Sequence, residues 1–405
     1  MSIAIIGCGI VGSAISEQLI RRKVTNKIKL IDLDIKKTKK TYSYLKSLDK
    51  KIILEKYQAN GIKKNDLANI IIDDDLVINA ASPLCNIPIM TSCLKTDTNY
   101  IDLASDPFEY PDLKGTSFSD QLKLHDSFKK KKLLAITNTG FAPGLTDLLS
   151  KNVVNEYLLD QIDYIKIYLA EKIISKKFVV SWSPYMFLLE SISPPTVYIN
   201  KKIETIETEN SFRKIIFPKP IGNIKLTVFS GHPELKTIPF YLDIPIDYIE
   251  ICGGYILNDM EFNEIIIKAL RDKIGKSIIF NGDIFEILST SFENPDEFIN
   301  NYKTGNIKNE YAACIFKLKG KKGNKTFEYK AIMEHNLKDV YKIFCSGSVS
   351  SFMVSIIPAI LAEKIINKKI SQTGVIAPAG LKNVYEIIEE CKKFGLSIKE
   401  SNKWF

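Results

Sequence analysis

The stretch Ile3-Ala4-Ile5-Ile6-Gly7-Cys8-Gly9-Ile10-Val11-Gly12 decides the fold, because an apolar run leads directly into a Gly-x-Gly-x-x-Gly pattern. In such a turn the first glycine permits the tight bend, the second lets the backbone approach a pyrophosphate, and the third lets the next helix pack closely on the strand. The amide groups at the start of that helix favour an anion. The pattern therefore predicts a dinucleotide-binding turn, and a chance cluster of glycines is the alternative.

A carboxylate at the end of the next apolar run supports dinucleotide binding. Asp32 lies 20 residues after Gly12, where an acidic residue commonly binds the hydroxyls of a cofactor ribose. Asp32 and Asp34, with Leu33 between them, would repel a 2′-phosphate, whereas Lys36-Lys37 could attract one. We predict that this segment contacts the cofactor and that the cofactor is NAD, with NADP as the alternative.

The first 150 residues alternate short apolar runs with stretches of helical spacing, which predicts an α/β Rossmann domain with a doubly wound parallel sheet of six strands. The predicted strands are residues 3–6, 28–31, 54–58, 76–79, 100–103 and 133–138. The predicted helices are residues 12–22, 36–46, 62–71 and 87–96. We assign residues 1–150 to this domain.

Residues that follow the predicted strands are candidates for ligand contact, since ligands bind at the carboxyl ends of parallel strands. The small residues Ala80, Ala81, Ser82 and Pro83 follow the fourth strand. They are expected where the backbone passes beside a cofactor, although Ser82 and Pro83 are also typical of a helix start. Further candidates, after the fifth and sixth strands, are Asp102, Ser105, Asp106 and residues 139–144.

Beyond residue 152 the runs become longer and richer in β-branched and aromatic residues, which predicts a mixed or antiparallel sheet. The predicted strands are residues 162–169, 196–199, 214–217, 224–229 and 248–253, with a hairpin of 311–318 and 326–334. Helices are predicted over residues 261–274, 294–302, 352–366 and 384–394. We assign residues 151–345 to an inserted α+β domain and residues 346–405 to carboxyl-terminal helices that complete the first domain.

Composition and charge exclude several classes of partner. The net charge of +9 comes from dispersed lysines and only four arginines, which does not favour nucleic-acid binding. Seven separated cysteines and three histidines form no metal-binding motif, so we expect no metal and a reducing, cytoplasmic location. The apolar stretch 352–362 is interrupted by Pro358 and followed by Glu363, so we expect no membrane span.

These motifs, taken in order, resemble the saccharopine dehydrogenase-like oxidoreductases, which include saccharopine reductase, lysine 6-dehydrogenase and carboxynorspermidine synthase. The resemblance rests on residues 7–12, 77–83, 99–103, 140–145, 181–184, 194–197 and 374–378. It implies a Rossmann domain with carboxyl-terminal helices and an inserted domain for substrate binding and dimerisation, and therefore a homodimer.

The resemblance also implies an activity. The family transfers a hydride between a nicotinamide and a carbon bonded to nitrogen, a CH–NH or CH–NH2 group, so the expected function is an NAD(P)-dependent oxidoreductase of saccharopine, lysine or a related amino acid. Residues 32–34 look like the lysine 6-dehydrogenase branch, which uses NAD. Residues 217–219 and 230–235 instead resemble carboxynorspermidine synthase, which makes a polyamine enzyme the alternative.

Two other functions stay open on the residues alone. Leu84 stands where family members often carry an aromatic residue, which leaves a non-catalytic dinucleotide-binding regulator as a second class of function. A dehydrogenase of another substrate class would need a reactive cysteine or lysine. Cys85 and Cys93, close to the cofactor strands, are candidates for that role.

The chemistry of an imine requires an acid/base group with a pKa near the working pH. His232 is the first candidate because it lies in a turn-like Gly-His-Pro sequence, and Asp102 and Asp106 compete with it. Each has a simpler interpretation, as a turn histidine or as a helix cap. We expect His125 to be solvated and His335 to be structural.

An amino-acid substrate needs its carboxylate held and its carbon chain covered. Arg213, in strand-like surroundings, is a candidate clamp, and the amides at Pro143 and Gly144 could bind the same group. Ser105 lies at the ligand edge of the predicted sheet. Trp182 could cover a methylene chain, with a core tryptophan as the alternative.

Overall fold

The computed structural model describes residues 1–105, 117–176, 179–183, 186–187, 190, 193–258, 260–261 and 295–405. The chain folds into two compact units. The first unit consists of Met1–Leu149 and Ser351–Phe394, and the second consists of Ser150–Ser350 and Gly395–Phe405.

The first unit contains a parallel sheet of seven strands. Its strands are β1 (Ser2–Ile6), β2 (Lys27–Asp32), β3 (Ile53–Gln58), β4 (Leu76–Asn79), β5 (Asn99–Asp102), β6 (Leu134–Ile136) and β16 (Gly374–Ile376). Their order is β16-β6-β5-β4-β1-β2-β3, and all neighbouring strands are parallel. The order reverses beside β1, as in a doubly wound sheet, and the predicted fold class is confirmed.

Helices cover this sheet. They are α1 (Ile10–Arg21), α2 (Ile35–Leu48), α3 (Lys64–Ile71), α4 (Asn86–Thr96), α5 (Phe118–Leu122), α6 (His125–Lys130), the start of α7 (Thr146–Tyr157), and the carboxyl-terminal α11 (Val349–Ile366) and α12 (Val384–Lys393). The core between sheet and helices includes the fully buried Leu67, Ile89, Tyr100 and Phe128. Apolar side chains on both faces of the sheet are what a sheet covered on both sides requires.

The sequence prediction missed the seventh strand, β16. It is only three residues long and comes from the distant carboxyl-terminal part of the chain, so no local pattern marks it. Gly374 opens it with φ +97°, and a Cβ there would lie 2.6 Å from the His125 ring. His125 is therefore packed against the strand rather than solvated, and its Nδ1 lies 3.2 Å from the Val375 nitrogen.

Helix α11 begins three residues before the helix predicted over residues 352–366, ends where that prediction ends, and contains Pro358 in its interior. Its 18 residues are long and apolar enough for a membrane span by length and composition, but 72% of that stretch is buried inside the protein. A core helix passes the same test of length and composition, so this finding is weak evidence for a membrane span.

The second unit is built on a mixed sheet of ten strands. They are β7 (Gln161–Ser175), β8 (Thr196–Ile199), β9 (Lys202–Thr205), β10 (Phe212–Ile216), β11 (Asn223–Val228), β12 (Tyr248–Leu257), β13 (Met260–Glu261), β14 (Ile307–Lys322), β15 (Lys325–Asn336) and β17 (Lys399–Trp404). β7 and β12 are parallel and the other named pairs are antiparallel. The predicted hairpin is the β14–β15 pair, with Gly323 in its turn at φ +55°.

Short helices accompany this sheet. They are α8 (Glu234–Leu242), α9 (Phe298–Lys303) and α10 (Leu337–Val340). The helix predicted over residues 294–302 corresponds to a 3-10 turn, Pro295–Glu297, followed by α9. Most of the helix predicted over residues 261–274 lies outside the described residues.

The last eleven residues belong to the second unit, whereas residues 346–405 were predicted to complete the first. β17 pairs antiparallel with β15, and Trp404 lies 4.7 Å from the Phe327 ring, centroid to centroid. The His335 Nε2 accepts the main-chain N–H of Ser397 at 3.0 Å. Every residue of β17 is exposed, so no apolar alternation in the sequence marks this strand, and backbone pairing at the sheet edge places it.

Candidate functional site

The glycine turn has the geometry that its sequence predicts. Gly7 has φ +92°, and a Cβ there would lie 2.7 Å from the main chain of Ala80 and Ala81. A Cβ on Gly12 would lie 1.8 Å from the Gly7 carbonyl oxygen. α1 begins after Gly9, and no described side chain caps it. The turn therefore brings backbone close to β4 and leaves a helix start that suits an anion.

Asp32 is hydrogen-bonded to the main chain of this turn and to that of Asp34. Its Oδ2 accepts the main-chain N–H of Cys8 at 2.7 Å, and its Oδ1 accepts that of Asp34 at 2.8 Å. Asp34 caps α2 by accepting the N–H of Lys36 at 2.8 Å, and Leu33 is exposed. The carboxylate is thus tied to the glycine turn, and its contact with a ribose stays a prediction.

The small residues after β4 lie beside the same turn. The Ala80 N–H donates to the Ile6 oxygen at 2.7 Å, and the Ala81 N–H donates to the Asn79 side chain at 3.0 Å. Ser82 caps the short 3-10 turn that starts at Pro83. The helix-start interpretation is therefore correct, and it is compatible with cofactor contact at these four residues.

Asp102 ends β5 in the interior, with 1% of its surface exposed. Its carboxylate accepts hydrogen bonds from the Asn138 N–H, at 2.7 Å, and from the Gln121 side chain. Burial raises the pKa of Asp102 to about 7, and these hydrogen bonds oppose the rise. Ser105, also buried, donates its N–H and its hydroxyl to the Asn138 side chain. Asp106 lies outside the described residues.

Pro143 and Gly144 are buried at the start of α7. Gly144 has φ +132°, and its N–H donates to the Asp147 carboxylate at 3.1 Å. The amide proposed for a substrate carboxylate therefore already has an acidic acceptor, which disfavours that role for Gly144.

His232 lies in an acidic cluster of the second unit, which we call the His232 cluster and which consists of the buried His232 and Glu234 and the half-buried Glu190. The His232 Nδ1 is hydrogen-bonded to the Glu234 carboxylate, and both residues are at most 4% exposed. Burial raises the pKa of Glu190 to about 7; the field of His232 opposes this rise and that of Glu234 adds to it. The imidazole also stacks on Phe229, 6.0 Å between ring centroids.

Sequence reasoning found His232 but missed both glutamates. For Glu234 a signal was available in the sequence His232-Pro233-Glu234, because the helix that starts there brings the Glu234 side chain back to His232. Glu190 gave no signal, because only the fold brings it to residues more than 40 positions away.

Arg213 is already held by the protein. Its Nε and Nη2 each lie 2.9 Å from the carboxylate of Glu250, a fully buried residue of β12, and its Nη1 donates to the Asn210 oxygen at 2.7 Å. A substrate carboxylate would have to compete with this ion pair, so the surroundings of Arg213 disfavour the clamp prediction. Trp182 is partly buried in a bend next to Ser181, whose hydroxyl lies 3.0 Å from that of Tyr255.

The cysteines suggested for an alternative chemistry are poor nucleophiles. Cys85 and Cys93 are buried, and burial raises the pKa of both thiols. His335 has its pKa lowered to about 4 by burial, which agrees with a structural role. Across the described ranges, no group of three His, Cys, Asp or Glu residues is placed to hold a metal.

The glycine turn, the doubly wound sheet and Asp32 define a dinucleotide-binding protein that carries a second, mixed α/β unit. Residues 3–136 match the family model described as the saccharopine dehydrogenase NADP binding domain. This match confirms, for residues 3–136, the resemblance to the saccharopine dehydrogenase-like family that was found in the motifs.

Comparisons with individual proteins cover more of the chain than this domain. The chain is 26% identical over 269 residues, 63% of each chain, to the carboxynorspermidine synthase of Vibrio cholerae. It covers only 40% to 63% of the length of the curated relatives it matches. Two solved structures share the fold at 14% identity and 99% coverage of this chain. They are a saccharopine dehydrogenase (L-Glu forming) from Saccharomyces cerevisiae, TM-score 0.66 with 99% of its chain covered, and a homospermidine synthase from Legionella pneumophila in complex with NAD, TM-score 0.67 with 91% covered.

Proposed function

We propose that the protein is an NAD(P)-dependent oxidoreductase that acts on a carbon–nitrogen bond of an amino-acid-derived amine, through an imine. The observation that carries this proposal is the His232 cluster, a buried histidine with two carboxylates in a unit attached to a dinucleotide-binding domain. Two carboxylates favour a cationic amine, and the pKa of Glu190 near 7 suits proton exchange with a nitrogen at neutral pH.

The first unit fits the dinucleotide that this activity needs. The close approach of Gly7 to β4 and the uncapped start of α1 suit a pyrophosphate. When bound, the nicotinamide supplies hydride exchange with the substrate carbon. We propose NAD, because Asp32 and Asp34 place two carboxylates beside the ribose position; NADP, which the family description names, is the alternative.

The residues of the second unit would handle the amine and its protons. Glu190 and Glu234 would attract the cationic nitrogen. Because the His232 Nδ1 is paired with Glu234, proton exchange would use the other ring nitrogen, Nε2. The same pairing orients the ring before the substrate binds.

The relative from Vibrio cholerae favours a polyamine-type substrate over lysine or saccharopine. Carboxynorspermidine, the product in that relative's name, contains a secondary amine. Such an amine forms when a diamine condenses with an amino-acid semialdehyde, with loss of water, and NAD(P)H then reduces the resulting imine by transfer of a hydride to its carbon while the nitrogen takes up a proton. We propose a reductive condensation of this class. The segment Asp32-Leu33-Asp34, which resembles the lysine 6-dehydrogenase branch, supports a lysine or saccharopine enzyme as the second candidate.

The test is an absorbance assay at 340 nm with NADH and NADPH separately. The reductive arms hold aspartate semialdehyde with 1,3-diaminopropane, or aminoadipate semialdehyde with glutamate; the oxidative arms hold lysine or saccharopine with NAD or NADP. Diamine-dependent consumption supports the polyamine class, and turnover only in the other arms supports the second candidate. Cofactor binding without turnover in any arm would contradict both and favour a non-catalytic regulator.

We also propose that the protein is a cytoplasmic homodimer without a nucleic-acid or membrane partner. The homodimer follows from the family resemblance and the location from the separated, free cysteines. Sedimentation equilibrium tests the dimer, and a monomer at micromolar concentration would contradict it.

A further inference from the structure

Residues 103–105, which follow β5 and are here called the β5 loop, and residues 137–140, which follow β6 and are called the β6 loop, are joined by hydrogen bonds that the proposed reaction does not use. The Asp102 carboxylate accepts the Asn138 N–H at 2.7 Å, and the Asp102 main-chain oxygen accepts the N–H and the hydroxyl of Thr139 at 2.9 and 2.7 Å. In return, the Asn138 side-chain oxygen accepts the N–H and the hydroxyl of Ser105 at 2.6 and 2.9 Å. Each loop therefore caps the main chain of the other.

This arrangement is buried and leaves little room for change. Asp102, Ser105, Asn138 and Thr139 are at most 2% exposed, so separating the loops would leave buried polar groups without partners. Asn138 has φ +60°, a left-handed conformation that asparagine adopts more readily than most residues. The Gly140 N–H then donates to the Leu103 oxygen at 3.2 Å, one residue beyond Asp102.

The sheet order places these loops at one end of the expected cofactor. β2 lies on one side of β1, and β4, β5 and β6 lie on the other. A dinucleotide that has its adenosine ribose at Asp32 and its pyrophosphate at α1 extends its other half over the ends of β4 and β5. The loops after β5 and β6 therefore border the reacting half of the cofactor.

We propose that Asp102 and Asn138 form a clasp that positions the β5 and β6 loops against the reacting end of the dinucleotide, with Asp102 as a positioning residue rather than the acid/base group. The inference rests on the proposed function, because the clasp can affect turnover only if a dinucleotide reacts beside these loops. Both carboxylate oxygens of Asp102 are occupied, one by Asn138 and the other by Gln121. A group held in this way is poorly placed to exchange a proton with a substrate.

A buried oxygen of Gln121 shows how the clasp accommodates a proton. The Gln121 Nε2 donates to Asp102, whereas its Oε1 is buried without a partner in the described part of the chain. Turning the amide over presents Oε1 to a protonated Asp102, so the pair can be hydrogen-bonded in both protonation states. The titratable side chain beside Asp102 among the described residues is Tyr100. A neutral asparagine at position 102 should therefore preserve the clasp.

The test compares Asp102→Asn, Asp102→Ala and Asn138→Gly with the wild type. Glycine keeps the left-handed backbone of residue 138 accessible. It removes the acceptor for Ser105 and also the hydrogen bond that the Asn138 Nδ2 donates to the Thr137 hydroxyl at 3.2 Å. We expect Asn138→Gly and Asp102→Ala to lower kcat by about 100-fold, because a small misplacement of the loops disturbs the alignment of the reacting groups. The dinucleotide Kd should stay within about twofold of the wild-type value. Asp102→Asn should keep kcat within about threefold and flatten any limb of the pH profile near 7.

Two results would overturn the clasp. A fall in kcat of about 1,000-fold in Asp102→Asn, with dinucleotide binding intact, would make Asp102 the acid/base group. Wild-type kcat in Asn138→Gly would show that the loops need no clasp. If Asp102→Ala fails to fold, Asp102→Asn and Asn138→Gly still test whether the clasp positions the loops.

A readout that does not depend on turnover separates this inference from the proposed function. The emission of bound NAD(P)H reports the surroundings of the nicotinamide, and Asn138→Gly should shift its intensity or wavelength at unchanged Kd. If the wild type binds dinucleotide but turns over no amine, the proposed function fails, while this emission still tests the clasp. An emission identical to that of the wild type would contradict the clasp.

Discussion

The predicted ligand edge of the first unit and the His232 and Arg213 sites of the second satisfy their buried carboxylates in different ways. Each unit also contains the other kind elsewhere, since Lys29 pairs with the buried Asp74 in the first unit and Glu310 accepts main-chain N–H groups in the second. In the first unit, Asp102 is held by a main-chain N–H and a neutral glutamine side chain. In the second, Glu250 is paired with Arg213, and Glu234 is paired with His232. The ligand edge of the first unit is thus made by backbone geometry, whereas the second unit uses charged partners brought together by the fold.

This difference has a consequence for stability. A carboxylate paired with one charged partner is exposed to a large penalty when that partner is removed, because an unpaired buried charge remains. A carboxylate that accepts neutral donors can take up a proton instead. Substitutions should therefore act in different ways in the two units.

The largest effect is expected for Arg213→Ala, which leaves the buried Glu250 without its guanidinium partner. We expect a loss of about 3 kcal/mol in the free energy of unfolding, measured by urea denaturation. Tyr168 and Tyr248 still donate to Glu250, and the Lys166 Nζ lies 3.9 Å from its carboxylate, which keeps the loss at the lower end of the usual range.

The matched control is the double variant Arg213→Met with Glu250→Gln, which removes both charges. It should recover most of the lost stability. If the double variant is no more stable than Arg213→Ala, the pair is not a charge-dependent contact and the comparison between the units fails.

The next effect concerns the backbone geometry of the first unit. In Gly12→Ala the new Cβ would lie 1.8 Å from the Gly7 oxygen, so the turn must open. We expect a loss of about 2–3 kcal/mol in unfolding free energy and no detectable binding of NAD(P)H in a fluorescence titration. Gly61→Ala is the control, because its Cβ meets the Cys85 Sγ at the milder distance of 3.1 Å. Normal dinucleotide binding by Gly12→Ala would contradict the account of the turn.

A third prediction concerns the start of α11. The Glu310 carboxylate accepts the N–H groups of Val349 and Ser350 at 2.7 and 3.2 Å. Burial raises the pKa of Glu310, and the neighbouring carboxyl of Glu171 raises it further. Glu310→Ala removes the cap and should cost about 1–2 kcal/mol. Glu310→Gln keeps an acceptor, removes the charge, and should be close to neutral. Equal losses in both variants would show that charge, not capping, matters here.

The pH dependence of stability should have opposite signs at Asp102 and His335. The pKa of Asp102 is raised to about 7 in the folded protein, so its contribution falls as pH rises from about 4 to 7. The pKa of His335 is lowered to about 4, so its contribution is lost as pH falls from about 6.5 to 4. Each slope is at most about 1.4 kcal/mol per pH unit.

Two variants isolate these contributions. Relative to the wild type, Asp102→Asn should gain stability as pH rises, and His335→Gln should gain stability as pH falls, in denaturation series at several pH values. A wild-type minus variant difference that does not change with pH would contradict the burial argument for that residue.

The smallest effect is expected at Asp32. In Asp32→Asn the single side-chain oxygen can still accept the Cys8 N–H, whereas Nδ2 cannot accept the Asp34 N–H, so one of the two hydrogen bonds is lost while the charge that repels a 2′-phosphate is removed. We expect the NADP affinity to rise about 10-fold relative to that for NAD. An unchanged ratio of the two dissociation constants would show that Asp32 does not set the choice.

The sequence predicted the first unit well because its signals are local. The glycine turn and Asp32 lie within one strand–helix–strand segment, and the first five predicted strands match β1 to β5 closely. It missed β16 and β17, which are short or polar and pair with strands far along the chain. Periodicity carries no information about such pairing.

The candidate site was predicted only in part, for the same reason. His232 stood out as one of three histidines, but Glu190 and the ion pair of Arg213 with Glu250 depend on contacts between distant strands. Arg213 looked available as a clamp because a sequence cannot show that a buried glutamate lies across the sheet. The reciprocal contacts of Asp102 and Asn138 were hidden likewise, although both ends of the clasp lie after predicted strands.

The most direct test of the division of roles between the units is to measure dinucleotide affinity and amine turnover together in the wild type, Gly12→Ala and His232→Gln. We predict that the wild type binds NAD(P)H and turns over a diamine with an amino-acid semialdehyde, that Gly12→Ala loses both activities, and that His232→Gln keeps the dinucleotide affinity while kcat falls by about 100-fold. Undiminished turnover in His232→Gln, or loss of dinucleotide binding in that variant, would contradict the account.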